Sequence, residues 1–133
     1  MTTAQTVPPL GSILIVDDTP ANLRLLAGIL ADQGYDIRPT QKGAHAILSA
    51  RAEPPDLILL DILMPKMDGV TMLKKLREDK KSLATPVIIL TNVGYGEQIE
   101  EAIKYGVQDF LVKTNWKLED VVEKIKQKLA IEA

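Results

Sequence analysis

Short apolar runs rich in leucine, isoleucine and valine recur along the chain and constrain its fold more than any other feature. The clear runs cover residues 13–16, 57–60, 87–90 and 110–112, and a weaker fifth lies around residues 35–38. Apolar residues at helical spacing fill the segments between them. The pattern predicts a strand followed by a helix, five times over. Because each connection is long enough for a crossover helix, we expect the strands to be parallel.

The strand at residues 57–60 is apolar at every position, so both faces of the sheet should be covered by helices. This predicts a doubly wound α/β fold, and 133 residues suffice for one such domain. Thr19 and Pro20 are a candidate N-cap and first residue of a helix, and Gly34 follows its end. We expect residues 1–10 to form a disordered tail and residues 11–130 to form the domain.

The composition excludes several classes of protein. There is no cysteine, which excludes disulfides and thiolate sites, and the single histidine, His45, leaves little material for a histidine-rich metal site. The net charge of −2 gives no general attraction to nucleic acid, and we expect no direct binding to it. No apolar run approaches the roughly 18 to 20 residues of a membrane span, and the first ten residues do not resemble a secretory signal. We therefore expect a cytoplasmic protein.

Polar side chains follow four of the five predicted strands. They are Asp17 and Asp18 after the first strand, Asp61 after the third, Thr91 after the fourth and Lys113 after the fifth. Parallel strands place these residues at one end of the sheet, where doubly wound folds bind ligands. Two carboxylates about 5 Å apart repel by roughly 3 kcal/mol at an effective dielectric near 20. A hard divalent cation such as Mg²⁺ would offset this repulsion, and the set suits phosphoryl transfer onto Asp61.

Four motifs resemble the receiver domain of two-component response regulators. They read Ile13-Leu-Ile-Val-Asp-Asp18, Leu59-Leu-Asp-Ile-Leu-Met-Pro-Lys-Met-Asp-Gly69, Ile89-Leu-Thr91 and Asp109-Phe-Leu-Val-Lys113. The likeness runs from about residue 11 to residue 129. It implies a flavodoxin-like (βα)5 fold with strand order 2-1-3-4-5 and helices on both faces.

The resemblance also implies a role for each matching residue. Asp61 would accept a phosphoryl group from a sensor histidine kinase or a histidine phosphotransfer protein. Mg²⁺ would be bound by Asp18, Asp61 and the backbone carbonyl of Leu63, with Asp17 acting mainly through water. Thr91 and Lys113 would contact the phosphoryl oxygens, and Phe110 would be the aromatic switch residue that follows Thr91. The expected protein is a regulatory phosphoacceptor rather than an enzyme, and the downstream effector is unknown.

Two departures from the family pattern leave an alternative open. Thr114 follows Lys113 where the family usually has proline, and Asn92 follows Thr91 where a small residue is common. Lysine is also unevenly distributed, with one residue before Asp61 and eleven after it. The alternative is a receiver-fold interaction scaffold, possibly recombined or engineered, with impaired phosphorylation. A Mg²⁺-dependent phosphohydrolase is a third hypothesis. The chain can equally be a free-standing receiver or one piece of a longer regulator.

The remaining charged and titratable residues are interpreted as ordinary surface. His45 lies in the second predicted helix, away from the strand ends, and we expect it to be a surface or boundary residue rather than a phosphodonor. The lysine groups late in the chain alternate with acidic residues, which is typical of solvated helix faces.

Overall fold

The computed structural model describes residues 11–61, 69–78, 85–91, 96–107, 109–112 and 117–132. Strands and helices alternate through these residues. The elements in chain order are β1 (Ser12–Val16), α1 (Pro20–Asp32), β2 (Asp36–Thr40), α2 (Gly43–Ala52), β3 (Leu57–Asp61), α3 (Gly69–Arg77), β4 (Val87–Thr91), α4 (Gly96–Lys104), β5 (Asp109–Val112) and α5 (Leu118–Glu132). No helix among them is long and apolar enough to cross a bilayer.

The five strands form one parallel sheet in the order β2-β1-β3-β4-β5. This order is the one implied by the flavodoxin-like prediction, which is confirmed. The chain reverses its winding direction after β2, so the carboxyl ends of β1 and β3 lie side by side at the switch point. The predicted tail at residues 1–10 lies outside the described residues, and the domain bounds stay a prediction.

Each face of the sheet has its own apolar core, because alternate strand residues point to opposite faces. Leu14, Val16, Ile58 and Leu60 pack with the buried residues of α2, α3 and α4. Ile13, Ile15, Leu57 and Leu59 pack on the other face with α1 and α5. A fully buried leucine or isoleucine contributes roughly 1.5 to 3 kcal/mol to folding. The apolar runs therefore specify helices on both faces, as predicted.

Two helices end in the same glycine-dependent turn. After α1, Gly34 has a φ of 101°, its N–H donates to the Ala31 carbonyl, and the Tyr35 N–H donates to the Leu30 carbonyl. After α4, Gly106 has a φ of 86° and the same pair of hydrogen bonds recurs. This is the Schellman arrangement, in which a left-handed residue closes the helix. It turns the chain directly into the next strand.

The weak strand predicted around residues 35–38 is confirmed, and the observed strand extends two residues further. β2 runs from Asp36 to Thr40. Tyr35 is excluded because its N–H closes the last turn of α1 rather than joining the sheet. The strand continues through Pro39 to Thr40, whose carbonyl accepts a hydrogen bond from the Asp17 N–H.

Arg77, the last residue of α3, connects three parts of the fold. Its Nε donates to the Tyr105 carbonyl after α4 at 2.8 Å, and its Nη1 donates to the Thr85 carbonyl before β4 at 2.9 Å. Burial lowers the pKa of Arg77 from its usual value. The guanidinium thus pairs carbonyl groups that neither a helix nor the sheet satisfies.

Candidate functional site

The polar residues that follow the strands meet at the carboxyl end of the sheet. β1 and β3 are adjacent, with Val16 opposite Leu60, so Asp17 and Asp61 occupy neighbouring positions. Asp61 is itself the last residue of β3 and lies opposite Leu90. The parallel register, rather than any local motif, brings these residues together.

Three carboxylates form a compact cluster at this end of the sheet. One oxygen each from Asp17, Asp18 and Asp61 lies within 4.8 Å of the others. Asp17 is 1% exposed and Asp61 is 6% exposed, whereas Asp18 is partly exposed. Burial limits the screening of their charges by water, so the mutual repulsion is strong. The cluster predicted from the sequence is therefore present among the described residues.

Asp17 is oriented by the start of α1. Its Oδ1 accepts a hydrogen bond from the Thr19 N–H at 2.9 Å, and its Oδ2 accepts one from Asn22 Nδ2 at 3.5 Å. Thr19 is the N-cap residue of α1, as predicted, but its side chain makes no capping hydrogen bond. A carboxylate beside a helix N-terminus is stabilised by the helix dipole. These contacts fix Asp17 as a positioned oxygen donor.

The sequence analysis did not identify Asn22. This residue lies in the first turn of α1, and its amide reaches back to a carboxylate five residues earlier. A polar amide one turn after a candidate metal ligand is a weak signal, since asparagine is common near helix starts. The spacing alone does not distinguish an asparagine that orients a metal ligand from one that merely begins a helix.

Several other predicted site residues lie partly or wholly outside the described structure. The backbone of Thr91 ends β4, opposite Val112, but its side chain lies outside the described part of the structure. Lys113 and Leu63 also lie outside the described residues, as do Asn92 and Thr114. Their predicted roles stay predictions.

Phe110 lies in β5, opposite Ile89 of β4. Its ring is partly buried and packs on the same core as α2, α3 and α4, together with Tyr105. The predicted switch residue therefore lies on the face of the sheet that α2, α3 and α4 cover, against the core that includes Ala102 of α4.

The donor set of the cluster suits a hard divalent cation. Mg²⁺ prefers oxygen ligands and accepts one or two carboxylates together with water. Three carboxylates packed this closely, two of them buried, require positive charge to offset their repulsion. The residues present therefore fit such an ion.

The family model for the response regulator receiver domain matches residues 13–126, which cover both the sheet and the carboxylate cluster. The chain belongs to the receiver domain family. Receiver domains are regulatory phosphoacceptors, so this chain is a phosphoacceptor switch of two-component signalling. The predicted family and the predicted role as a phosphoacceptor switch are confirmed.

Individual relatives agree with this assignment. The receiver is 40% identical over 102 residues to the response regulator PleD of Caulobacter vibrioides, an alignment that covers 76% of this chain and 22% of PleD. The matched part is thus about a fifth of that relative. Among solved structures, the receiver domain of a signal transduction histidine kinase from Syntrophus aciditrophicus is 32% identical, with a TM-score of 0.80 and 90% of each chain covered.

A third relative bears on the metal. The receiver domain of the sensor histidine kinase PA1611 from Pseudomonas aeruginosa is 26% identical, with a TM-score of 0.81, and the match covers 90% of this chain and 98% of that one. Its structure contains a magnesium ion coordinated in the active site cleft.

Proposed function

We propose that Asp61 is the residue that accepts the phosphoryl group, from a phosphohistidine of a sensor histidine kinase or a histidine phosphotransfer protein. The observation that carries the proposal is the cluster of Asp61 with Asp17 and Asp18 at the switch point of the sheet. Asp17 accepts hydrogen bonds at both of its oxygens from the start of α1, which suits a ligand rather than a nucleophile. Asp61 ends the central strand and is flanked by the ends of β1 and β4.

In this proposal the cluster binds Mg²⁺ through Asp18, Asp61 and the Leu63 carbonyl, with Asp17 acting mainly through water. When bound, the ion neutralises the carboxylates and stabilises negative charge on the phosphoryl oxygens. A carboxylate oxygen of Asp61 forms the new bond to phosphorus as the bond between phosphorus and the donor histidine breaks. Thr91 and Lys113 would contact the phosphoryl oxygens.

The proposed output follows from the added charge. A phosphoryl group on Asp61 adds negative charge at the end of β3, and Thr91 at the end of β4 would move toward it. Phe110 would change its packing against the core beside α4, which alters the surface formed by α4, β5 and α5. An effector that contacts this surface would sense the change. We propose that these events take place in the cytoplasm.

Intact mass spectrometry tests the assignment of Asp61. The chain is incubated with Mg²⁺ and a small-molecule phosphodonor, and we expect one added phosphoryl group. Asp61→Asn and a chelated sample should show none. Asp32→Asn, which changes an exposed carboxylate at the end of α1, is the matched control and should be labelled like the wild type.

The same experiment can overturn the proposal. Stoichiometric labelling of folded Asp61→Asn would place the phosphoryl group elsewhere. Failure of the folded wild type with two different donors would instead favour the receiver-fold scaffold. Release of more than one equivalent of phosphate per chain from a small phosphorylated substrate would favour the phosphohydrolase.

A further inference from the structure

A groove of about 460 Å³ lies between the first half of α1 and the segment that joins β2 to α2. Its apolar part is formed by Pro20, Leu23, Ala27 and Pro39. Leu23 is buried and Ala27 is partly buried, so these side chains form a floor rather than a rim. None of these residues belongs to the proposed phosphorylation site.

Positively charged and hydrogen-bonding side chains surround this floor. Arg24, Lys42 and His45 line the groove and are exposed, and its lining includes no aspartate or glutamate. Within the described part of the chain, none of these three side chains forms a hydrogen bond or an ion pair. His45 is therefore an exposed residue, as predicted, but it lies near the end of β2 rather than away from every strand end.

The chain as a whole gives no reason to expect positive charge here. Its net charge is −2, and only four arginine and lysine residues precede Asp61. Two of these four residues, Arg24 and Lys42, line this same groove. Cations that have no partner among the described residues are available to carboxylates of another molecule.

Apolar surface continues beyond the groove along α2. Leu48 lies three residues after His45, which places both on the same side of the helix one turn apart. Leu48 is 64% exposed, a large value for leucine. An extended ligand that leaves the groove past His45 would therefore meet a second apolar contact.

We propose that this groove binds an extended acidic segment of a partner protein. An apolar side chain of the segment lies on Leu23, Ala27 and Pro39, and its flanking carboxylates pair with Arg24 and Lys42. The volume lies within the roughly 300 to 1,000 Å³ range of ligand sites. A protein segment is favoured over nucleic acid because the apolar floor suits an apolar side chain, whereas His45 is the only aromatic ring of this lining on which a base could stack.

Nuclear magnetic resonance titration of the whole chain tests the proposal. The probe is the peptide Glu-Glu-Leu-Glu-Glu, and the comparison peptides are Glu-Glu-Gly-Glu-Glu and Lys-Lys-Leu-Lys-Lys. We expect the first peptide to shift the backbone amides of residues 21–27 and 40–45, and the other two to bind more weakly. Arg24→Gln with Lys42→Gln should weaken binding of the first peptide about tenfold, because the double variant loses both ion pairs with the peptide carboxylates.

A matched pair of variants separates a specific site from general charge attraction. Lys74→Gln with Lys75→Gln removes the same charge from exposed positions on α3 and should leave the affinity unchanged. Ala27→Glu places a carboxylate on the floor of the groove, in a helix that tolerates glutamate. It should abolish binding while circular dichroism shows an unchanged fold.

Three results would overturn the proposal. The first is equal weakening by the two double variants, or shifts centred on other lysines, which would indicate non-specific attraction. The second is no shift at all at millimolar peptide. The third is displacement of the peptide from the same residues by a single-stranded oligonucleotide that binds more tightly, which would identify a nucleic acid site. Each result is independent of phosphoryl uptake at Asp61.

Discussion

Asp61→Asn should make the metal-free protein more stable, because it removes one of three crowded charges. The carboxylate oxygens concerned lie within 4.8 Å of one another. At that separation and an effective dielectric of 20, each pair repels by about 3 kcal/mol. Asp18 is partly exposed and screened by water, which reduces its contribution to the repulsion. The substitution also loses favourable interactions that Asp61 makes in the fold, which offsets part of the gain. We therefore expect a net gain of about 1 to 3 kcal/mol in the free energy of unfolding.

Urea unfolding in chelator and in excess Mg²⁺ measures this change. The wild type should gain stability when Mg²⁺ is added, because a ligand that binds only the folded state stabilises it by about 2.7 kcal/mol at a hundred times its Kd. Asp61→Asn should gain less, since a proposed ligand has been lost. The advantage of Asp61→Asn in the free energy of unfolding should therefore shrink or reverse as the Mg²⁺ concentration rises.

The control is Glu123→Gln, which removes one exposed negative charge from the middle of α5. Its stability should change by no more than about 0.5 kcal/mol in either condition. The reasoning is refuted if Asp61→Asn is no more stable than the wild type in chelator while Glu123→Gln behaves as expected. That outcome would mean that the protein's own cations already compensate the cluster.

Three further predictions concern the scaffold. Gly28 lies within α1 and Gly106 has a φ of 86°, and an added Cβ would meet nothing within 4 Å at either position. In urea unfolding, Gly28→Ala should therefore stabilise the protein by about 0.5 to 1 kcal/mol. Gly106→Ala should destabilise it by about 1 to 2 kcal/mol. Equal effects of the two substitutions would contradict the argument from backbone conformation. Arg77→Met should cost about 2 to 4 kcal/mol by leaving two backbone carbonyls unpaired, and a cost below 0.5 kcal/mol would show that water replaces the guanidinium. Burial raises the pKa of Tyr35 above its usual value of 10.0, so the unfolded chain ionises first and stability should fall as the pH rises above about 10. In thermal unfolding, Tyr35→Phe should lose less stability than the wild type as the pH rises above about 10. If the pH dependence is unchanged, it is caused by other groups.

The sequence predicted most of what the parallel sheet determines. The apolar runs located five strands, and their parallel arrangement implied that Asp17, Asp18 and Asp61 would meet, as they do. Local hydrogen bonds were less predictable. The bounds of β2 depend on which N–H groups close the turn after α1, and the contact of Asn22 with Asp17 depends on side-chain rotamers.

The position of His45 shows a different limit. Helical spacing placed it correctly on an exposed part of α2, but the spacing gives no information on which other elements lie nearby. The groove that it shares with Arg24 and Pro39 exists because β2 pairs with β1 at the edge of the sheet, so that the end of β2 lies beside the first half of α1. Such a surface follows from tertiary packing rather than from any run of residues.

The path of β2 has a consequence for how the protein avoids aggregation. Asp36 donates its N–H to the Gly11 carbonyl, and the Thr40 carbonyl accepts from Asp17, so the backbone groups of these residues point inward to β1. Ile37 and Pro39 alternate with them and face the open side of the sheet. Proline has no N–H, so a strand from another molecule finds only the Ile37 donor along this side. A single proline thus hinders the addition of a strand from another molecule along the open edge of β2.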